Sequence, residues 1–215
     1  KGLGVSMEDL LSMPMASDIK FFFCDMNGVL VTPREGAIAE IAKHSELNVN
    51  RIESVLMRHM DLIDGNQMSL GDFNKLMQKE LKWYGFDWHK LYMDNVQPLK
   101  PMQEVLKQVS KSIPVGILSN TVKGYIKELR ANKVLPEISY AAIIDSSEIG
   151  AVKPDPKIYR EAIKKAGVKP EEILFADDRQ PNLVAAREQG WKTVLVDTFR
   201  PERAIDRIKQ LGLLK

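Results

Sequence analysis

The sequence predicts an α/β fold, a doubly wound parallel sheet with an α-helical cap inserted after its first strand. Two observations carry this expectation. Short apolar runs alternate with segments whose apolar residues recur at helical spacing, and the alternation lapses once, between Val31 and Val96, where only helical patterns occur. In such sheets ligands sit beyond the carboxyl ends of the strands, so the residues that follow each apolar run matter most.

In chain order, residues 1–18 read as an N-terminal extension. Its stretch Lys1–Ala16 carries Glu8 and Asp9 and lacks the continuous apolar centre of a secretory signal, while its Met and Leu spacing suits a short amphipathic docking helix. Lys20–Cys24 is the first strand. The cap, residues 33–96, reads as helices over Ile38–His44, Asn50–Met60, Leu70–Leu81 and Trp88–Met93. Polar turns such as Asp64-Gly65-Asn66 and Tyr84-Gly85-Phe86-Asp87 join them, with Ser69 as an N-cap. The core, residues 19–32 and 97–215, resumes with helix Pro101–Ser110, strand Val115–Leu118 and helix Lys123–Ala131. A weaker strand follows at Ala141–Ile144, then helix Pro156–Ala166, strand Ile173–Ala176, helix Asn182–Gln189 and strand Thr193–Val196. Gly167 and Gly190 stand where helix C-terminal glycines belong.

Composition narrows the partner. Lys and Arg number 31 against 29 Asp and Glu, a formal net charge of +2 with no block of like charge, which argues against nucleic acid or an anionic membrane surface and for a small molecule. The single cysteine, Cys24, has no disulfide partner, which suits a reducing, cytoplasmic setting. No apolar stretch approaches the roughly 20 residues of a transmembrane helix. Oligomeric state is not legible in the sequence.

Four strand ends carry chemistry. The first runs Asp25-Met26-Asn27-Gly28, a carboxylate followed by a glycine that permits a sharp departure, although Asn-Gly is also an ordinary tight turn. The second ends in Ser119-Asn120-Thr121, where hydroxyl, amide and backbone N–H donors precede a helix; a plain N-cap would look the same. Lys153 lies in Gly150-Ala151-Val152-Lys153-Pro154, placed to neutralise a phosphate and an attacking carboxylate, or simply solvated. The fourth ends in Asp177-Asp178, and with Asp25 these carboxylates would need a cation; hard oxygen ligands suit Mg²⁺. Each feature alone has a bland reading, but their occurrence in order at four strand ends does not.

These four segments, Asp25–Leu30, Ser119-Asn120, Lys153 and Asp177-Asp178, resemble the signature of the haloacid dehalogenase-like hydrolase superfamily over roughly Ile19 to Thr198. Gly65–Glu80, Ser147–Tyr159 and Phe175–Trp191 are similar to the branch holding the N-terminal phosphatase domain of soluble epoxide hydrolase and bacterial sugar-phosphate phosphatases. The resemblance implies that Asp25 attacks phosphorus, that Ser119, Asn120 and Lys153 hold the phosphoryl group, and that Mg²⁺ is bound by the Asp25 carboxylate, the Asn27 carbonyl and Asp178. Asp177 then acts through a metal-bound water or orients the loop. A phosphate dianion with three carboxylates sums to about −5 against about +3 from Mg²⁺ and Lys153, so the metal is expected to be required.

Asn27 departs from the pattern. Phosphatases of this superfamily usually carry there an aspartate that protonates the leaving oxygen and later deprotonates water; an amide does neither, and losing such a group costs about 10²–10⁴-fold in rate. The implied activity is Mg²⁺-dependent hydrolysis of a small phosphorylated metabolite, with a phosphate-binding or catalytically impaired relative as the alternative. A 2-haloacid dehalogenase is disfavoured by Asp177-Asp178. A Schiff-base lysine for phosphonate cleavage would have to come from Lys43, Lys75, Lys79 or Lys82, which read as solvated helix faces. His44, His59 and His89 lack metal-ligand spacing, Trp83, Tyr84 and Trp88 read as cap packing, and Arg34 and Arg179 could offset charge or face solvent.

Overall fold

The computed structural model describes residues 19–214, so the N-terminal extension lies outside the described residues. Five strands, β1 (Phe21–Cys24), β2 (Val115–Ser119), β3 (Ala142–Asp145), β4 (Ile173–Asp177) and β5 (Lys192–Leu195), form one sheet in the order β3-β2-β1-β4-β5, every pair parallel. β1 is central. Its side chains alternate between two cores: Phe22 and Cys24 face one, Phe21 and Phe23 the other. Helices cover both faces, which is why β1 reads as an unbroken apolar run rather than an alternating one.

Four helices intervene between β1 and β2: α1 (Glu35–His44), α2 (Val49–Asp64), α3 (Leu70–Glu80) and α4 (Trp88–Asn95), with α5 (Lys100–Val109) returning to the sheet. Ser69 caps α3, its Oγ accepting from Asp72 N at 3.0 Å. Phe73, Phe86 and Trp88 meet edge-on or stacked and fill the centre of this insert. Entry and exit are tied together: Thr32 N donates to Gln97 O at 2.8 Å and Gln97 N to Thr32 Oγ1 at 2.9 Å. The remaining helices are α6 (Tyr125–Ala131), α7 (Ser146–Ile149), α8 (Pro156–Ala166), α9 (Gln180–Glu188) and α10 (Glu202–Gln210).

Two helices differ from expectation in ways that matter. α2 runs one turn past Met60, because Ile63 continues its buried stripe of Ile52, Val55, Leu56 and Met60; Asp64 is therefore the last residue of a helix, not part of a polar turn. α6 starts at Tyr125 rather than Lys123, since Gly124 takes φ +89° before it. Thr121 N also donates to Ser146 Oγ at 2.9 Å, so that N–H is engaged within the protein.

Candidate active site

The register of the central strands places Asp25 and Asp177 side by side, because Cys24 pairs with Ala176 and Asp25 N donates to Ala176 O at 2.8 Å. Beyond Asp25 the chain turns sharply, the Met26 carbonyl accepting from Leu30 N at 2.8 Å and Val31 N at 2.9 Å. Gly28 stands at φ +82°, and a Cβ there would come within 2.3 Å of Asp178 Oδ2. Glycine at this position thus lets the turn press against the second acidic strand end.

Lys153 joins the carboxylates. Its Nζ lies 2.9 Å from Asp25 Oδ1 and 2.6 Å from Asp177 Oδ2, with the lysine side chain 1% exposed and Asp177 0%. It also stands 5.2 Å from the centre of the Phe175 ring, a favourable cation–π distance. The lysine is aimed by its own backbone: Lys153 N donates to Asn120 Oδ1 at 2.7 Å and Lys153 O accepts from Asn120 Nδ2 at 2.9 Å. Asp177 is saturated, receiving Arg179 N at 2.8 Å and Asn182 Nδ2 at 3.0 and 3.1 Å besides the lysine. Burial would drive the Lys153 ammonium down, yet Asp177 and Asp25 together hold it above its usual value. Burial pushes the Asp25 carboxyl up to about 7; Lys153 opposes the rise and Asp177 and Asp178 add to it. Asp178, raised first by burial and then by Asp177, stands at about 6.

Above these groups opens a cavity of about 310 Å³ whose lining includes Asp25, Asn27, Asn120, Lys153 and Asp178 from the sheet side and Arg34, Glu53, Met57, Met60 and Asp64 from the insert. Asn27 reaches the insert: Tyr92 OH on α4 donates to its Oδ1 at 2.7 Å. Arg34 Nη2 donates to Asp64 Oδ2 at 2.8 Å and to the Asn120 carbonyl at 3.2 Å. Ser146 Oγ donates to the Asp64 carbonyl at 2.6 Å, and His89 Nε2 meets Glu128 Oε2 at 2.7 Å. The insert is thus latched onto the sheet at several points around the cavity.

The donor set fits a hard divalent cation. Oxygens of Asp25, Asp177 and Asp178 lie within 4.8 Å of one another, and Asp178 Oδ1 is buried without a partner. An orphaned buried carboxylate oxygen is costly unless a ligand completes it. Asp25 and Asp178 have free valence for such an ion, whereas Asp177 spends both oxygens on protein donors.

Of the residues singled out from the sequence, Asp25, Asn27, Asn120, Lys153, Asp178, Arg34 and Arg179 line this cavity and Asp177 lies beneath it against Lys153, whereas His44, His59 and His89 are outside the lining. Ser119 is fully buried, its hydroxyl near the Asn120 carbonyl at 3.4 Å, and Asn120 turns its amide to Lys153. Trp83, Tyr84, Trp88 and the lysines at 43, 75, 79 and 82 are outside the cavity lining. Sequence reasoning missed Asn182, Tyr92 and Asp64. For Asp64 a signal existed in the apolar stripe that continues through Ile63 to Gly65; Tyr92 and Asn182 act through tertiary contacts that spacing does not reveal.

The arrangement sets a buried lysine between two carboxylates at the carboxyl ends of parallel strands in an α/β sheet. A model of the haloacid dehalogenase-like hydrolases matches residues 19–190, and the chain belongs to that family. A glyceraldehyde 3-phosphate phosphatase of Methanopyrus kandleri is 35% identical over 129 residues, 53% of this chain and 55% of that protein. The bifunctional epoxide hydrolase 2 of Rattus norvegicus is 37% identical over 67 residues, 31% of this chain and 12% of that protein. The chain thus spans only part of the length of the curated relatives it matches. A HAD family enzyme of Bacteroides thetaiotaomicron, solved with magnesium and inorganic phosphate, shares the fold with a TM-score of 0.67 at 22% identity, over 84% of this chain and 95% of that one. Among the described residues no helix is long and apolar enough to cross a membrane.

Proposed function

We propose that the chain hydrolyses the phosphate monoester of a small metabolite such as a sugar phosphate, through an aspartyl-phosphate on Asp25, with residues 33–96 acting as its cap. The observation that carries this reading is the Asp25–Lys153–Asp177 chain of contacts at 2.9 and 2.6 Å on the floor of an open cavity. Lys153 keeps the Asp25 oxygens in place and offsets the charge of an incoming phosphoryl group. Asp25 forms a bond to phosphorus as the ester P–O bond breaks, the electron pair leaving with the alkoxide; water then cleaves the acyl phosphate. Asp25, the Asn27 carbonyl and Asp178 would hold Mg²⁺, which would supply charge neutralisation of the phosphoryl oxygens. Asp177, saturated by Asn182, Arg179 and Lys153, orients the loop. Asn120 supports the site by fixing Lys153, and Ser119 stands behind it.

A second reading has its own observation. Asn27 neither gives nor takes a proton, and its side-chain amide oxygen accepts from Tyr92 OH while its backbone carbonyl stays available, which fits a protein that binds a phosphate ester and turns it over slowly or not at all. Mg²⁺-dependent phosphate release from p-nitrophenyl phosphate, measured for the wild type, Asp25→Asn and Asn27→Asp, separates the two. Turnover that survives Asp25→Asn would overturn the nucleophile assignment. Tight phosphate binding without product supports the second reading, and chloride release from a 2-chloro acid would move the chain to a different reaction.

A further inference from the structure

We propose that Tyr92, on the insert helix α4, is a positioning residue that sets the Asn27 side-chain amide so that Nδ2, and not Oδ1, faces the phosphoryl group over Asp25. Asn27 then serves as a fixed, neutral hydrogen-bond donor to the departing oxygen. The inference rests on the phosphatase reading above and adds the insert residue on which the polarity of that site depends.

Asn27 has one freedom that matters. Its backbone is held by the turn after Asp25, in which Gly28 N donates to Val31 O at 2.8 Å and Leu30 N and Val31 N donate to Met26 O. What remains is a half-turn of the terminal amide, which exchanges an acceptor for a donor at the same place. Tyr92 decides between the two. Its hydroxyl donates to Asn27 Oδ1 at 2.7 Å and has no other hydrogen-bond partner among the described residues. Were the amide reversed, Nδ2 would donate to the hydroxyl, whose own hydrogen would be left without an acceptor in a side chain 3% exposed. The ring is not free to seek another partner: it stacks on Tyr125 of α6 at 5.1 Å between centroids and packs against Trp88 at 6.3 Å.

With Oδ1 engaged, Nδ2 is the open end. It has no hydrogen-bond partner among the described residues, and Asn27 contributes no atom to the buried unsatisfied groups. The open space beside it is the cavity that Asn27 lines together with Asp25 and Lys153. The direction matters chemically. A phosphoryl group and its leaving anion only accept hydrogen bonds, so an amide oxygen turned to them would repel, whereas an amide N–H attracts. As Asp25 bonds to phosphorus and the ester P–O bond breaks, the electron pair settles on the leaving oxygen. Asn27 Nδ2–H bonds to that anion and keeps its proton, and water protonates the anion after departure. Tyr92 belongs to the insert and Asn27 to the sheet, so the donor is aimed only while the insert is seated.

The test uses the full chain with Mg²⁺ and compares the wild type, Tyr92→Phe, Asn27→Ala and the double variant. Tyr92→Phe removes one hydroxyl and keeps the ring packing, and melting temperatures establish that each variant is folded. Inorganic phosphate, titrated calorimetrically, should bind about tenfold more weakly to Tyr92→Phe, the scale of an amide oxygen left without its donor. Once Asn27→Ala has removed the amide, Tyr92→Phe should cost less than about twofold; a merely structural role would cost the same in both backgrounds. With phenyl and p-nitrophenyl phosphate, kcat/KM of Tyr92→Phe should fall about tenfold more on the poorer leaving group, a difference that general loosening of the fold does not produce. In the wild type, phosphate should also move the Asn27 side-chain amide proton resonances downfield, which needs no variant to fold. Equal losses with and without the Asn27 amide, equal losses on the two esters, or resonances that phosphate leaves unmoved overturn the proposal, as does phosphate binding to Tyr92→Phe within about twofold of the wild type. Phosphate binding without turnover of any ester refutes the phosphatase reading alone, and the titration and the resonances still decide Tyr92. A wild type that binds no phosphate overturns both.

Discussion

Replacing Lys153 by Met tests the electrostatic centre directly. The ammonium is 1% exposed and touches two carboxylates of 8% and 0% exposure, so its removal leaves buried negative charge facing negative charge. Breaking a buried pair by deleting one partner costs about 3–5 kcal/mol, which for a chain of this size lowers the melting temperature by about 6–20 °C. The cost should depend on pH. Asp25 stands at about 7 in the folded protein, above its unfolded value, so the folded state binds that proton more tightly; the stability it contributes is full in acid and lost as pH rises through 7. Lys153 restrains this rise, so without it the Asp25 carboxyl climbs further. The gap between wild type and variant should widen from pH 5.5 to pH 8 by about 1.4 kcal/mol for each further unit of displacement. Urea unfolding in the presence of chelator measures it. A deficit below about 1 kcal/mol, flat across that range, would refute the argument, since a buried, two-partner cation would then contribute far less than the usual cost of breaking such a pair.

Asn27→Asp restores a proton-transferring group without changing side-chain shape and keeps an acceptor for Tyr92, so turnover of alkyl phosphates should rise about 10²–10⁴-fold in steady-state assays; no rise in a folded variant would refute the placement of residue 27 beside the leaving oxygen. Gly28→Ala should cost about 1–2 kcal/mol from its left-handed backbone alone. It should also weaken Mg²⁺ binding, because the new methyl would displace Asp178, whose Oδ2 lies 2.3 Å from the position of that Cβ; calorimetric titration would show it. Mg²⁺ must displace protons held by Asp25 at about 7 and Asp178 at about 6, so the ion should raise the melting temperature more at pH 8 than at pH 5.5, its affinity growing by up to about tenfold per pH unit per proton. Equal thermal shifts at both values would argue that the carboxylates do not receive it.

The sheet and its rim were legible because parallel strands buried on both faces read as short apolar runs, and because a strand end is one residue from its last apolar side chain. Asp25, Asp177 and Asp178 are placed by that rule alone. β5 shows its limit: the apolar run suggests Thr193–Val196 while the strand is Lys192–Leu195, since at a sheet edge pairing is set by β4 rather than by burial. α10 carries a clear amphipathic stripe, Ala204, Ile205 and Ile208 followed by Leu211, yet the sequence expectations above assign it no helix. The insert side of the cavity was least legible. Arg34 and Asp64 are thirty positions apart and meet only because α2 keeps its period to the end, and His89, which looks like surface, pairs with Glu128 across the boundary. Contacts between separate elements leave no periodic trace.

The tied linkers at Thr32 and Gln97 have a mechanical consequence. Two independent tethers would let the roof twist and slide over the floor in many ways, but two tethers bonded into a ribbon act as a single door hinge. Such a ribbon resists twist and slide more than two separate tethers would, which keeps Arg34, Asp64 and Tyr92 in register with the floor. A roof built on such a hinge can be rebuilt for a new occupant while the reacting floor beneath it stays untouched.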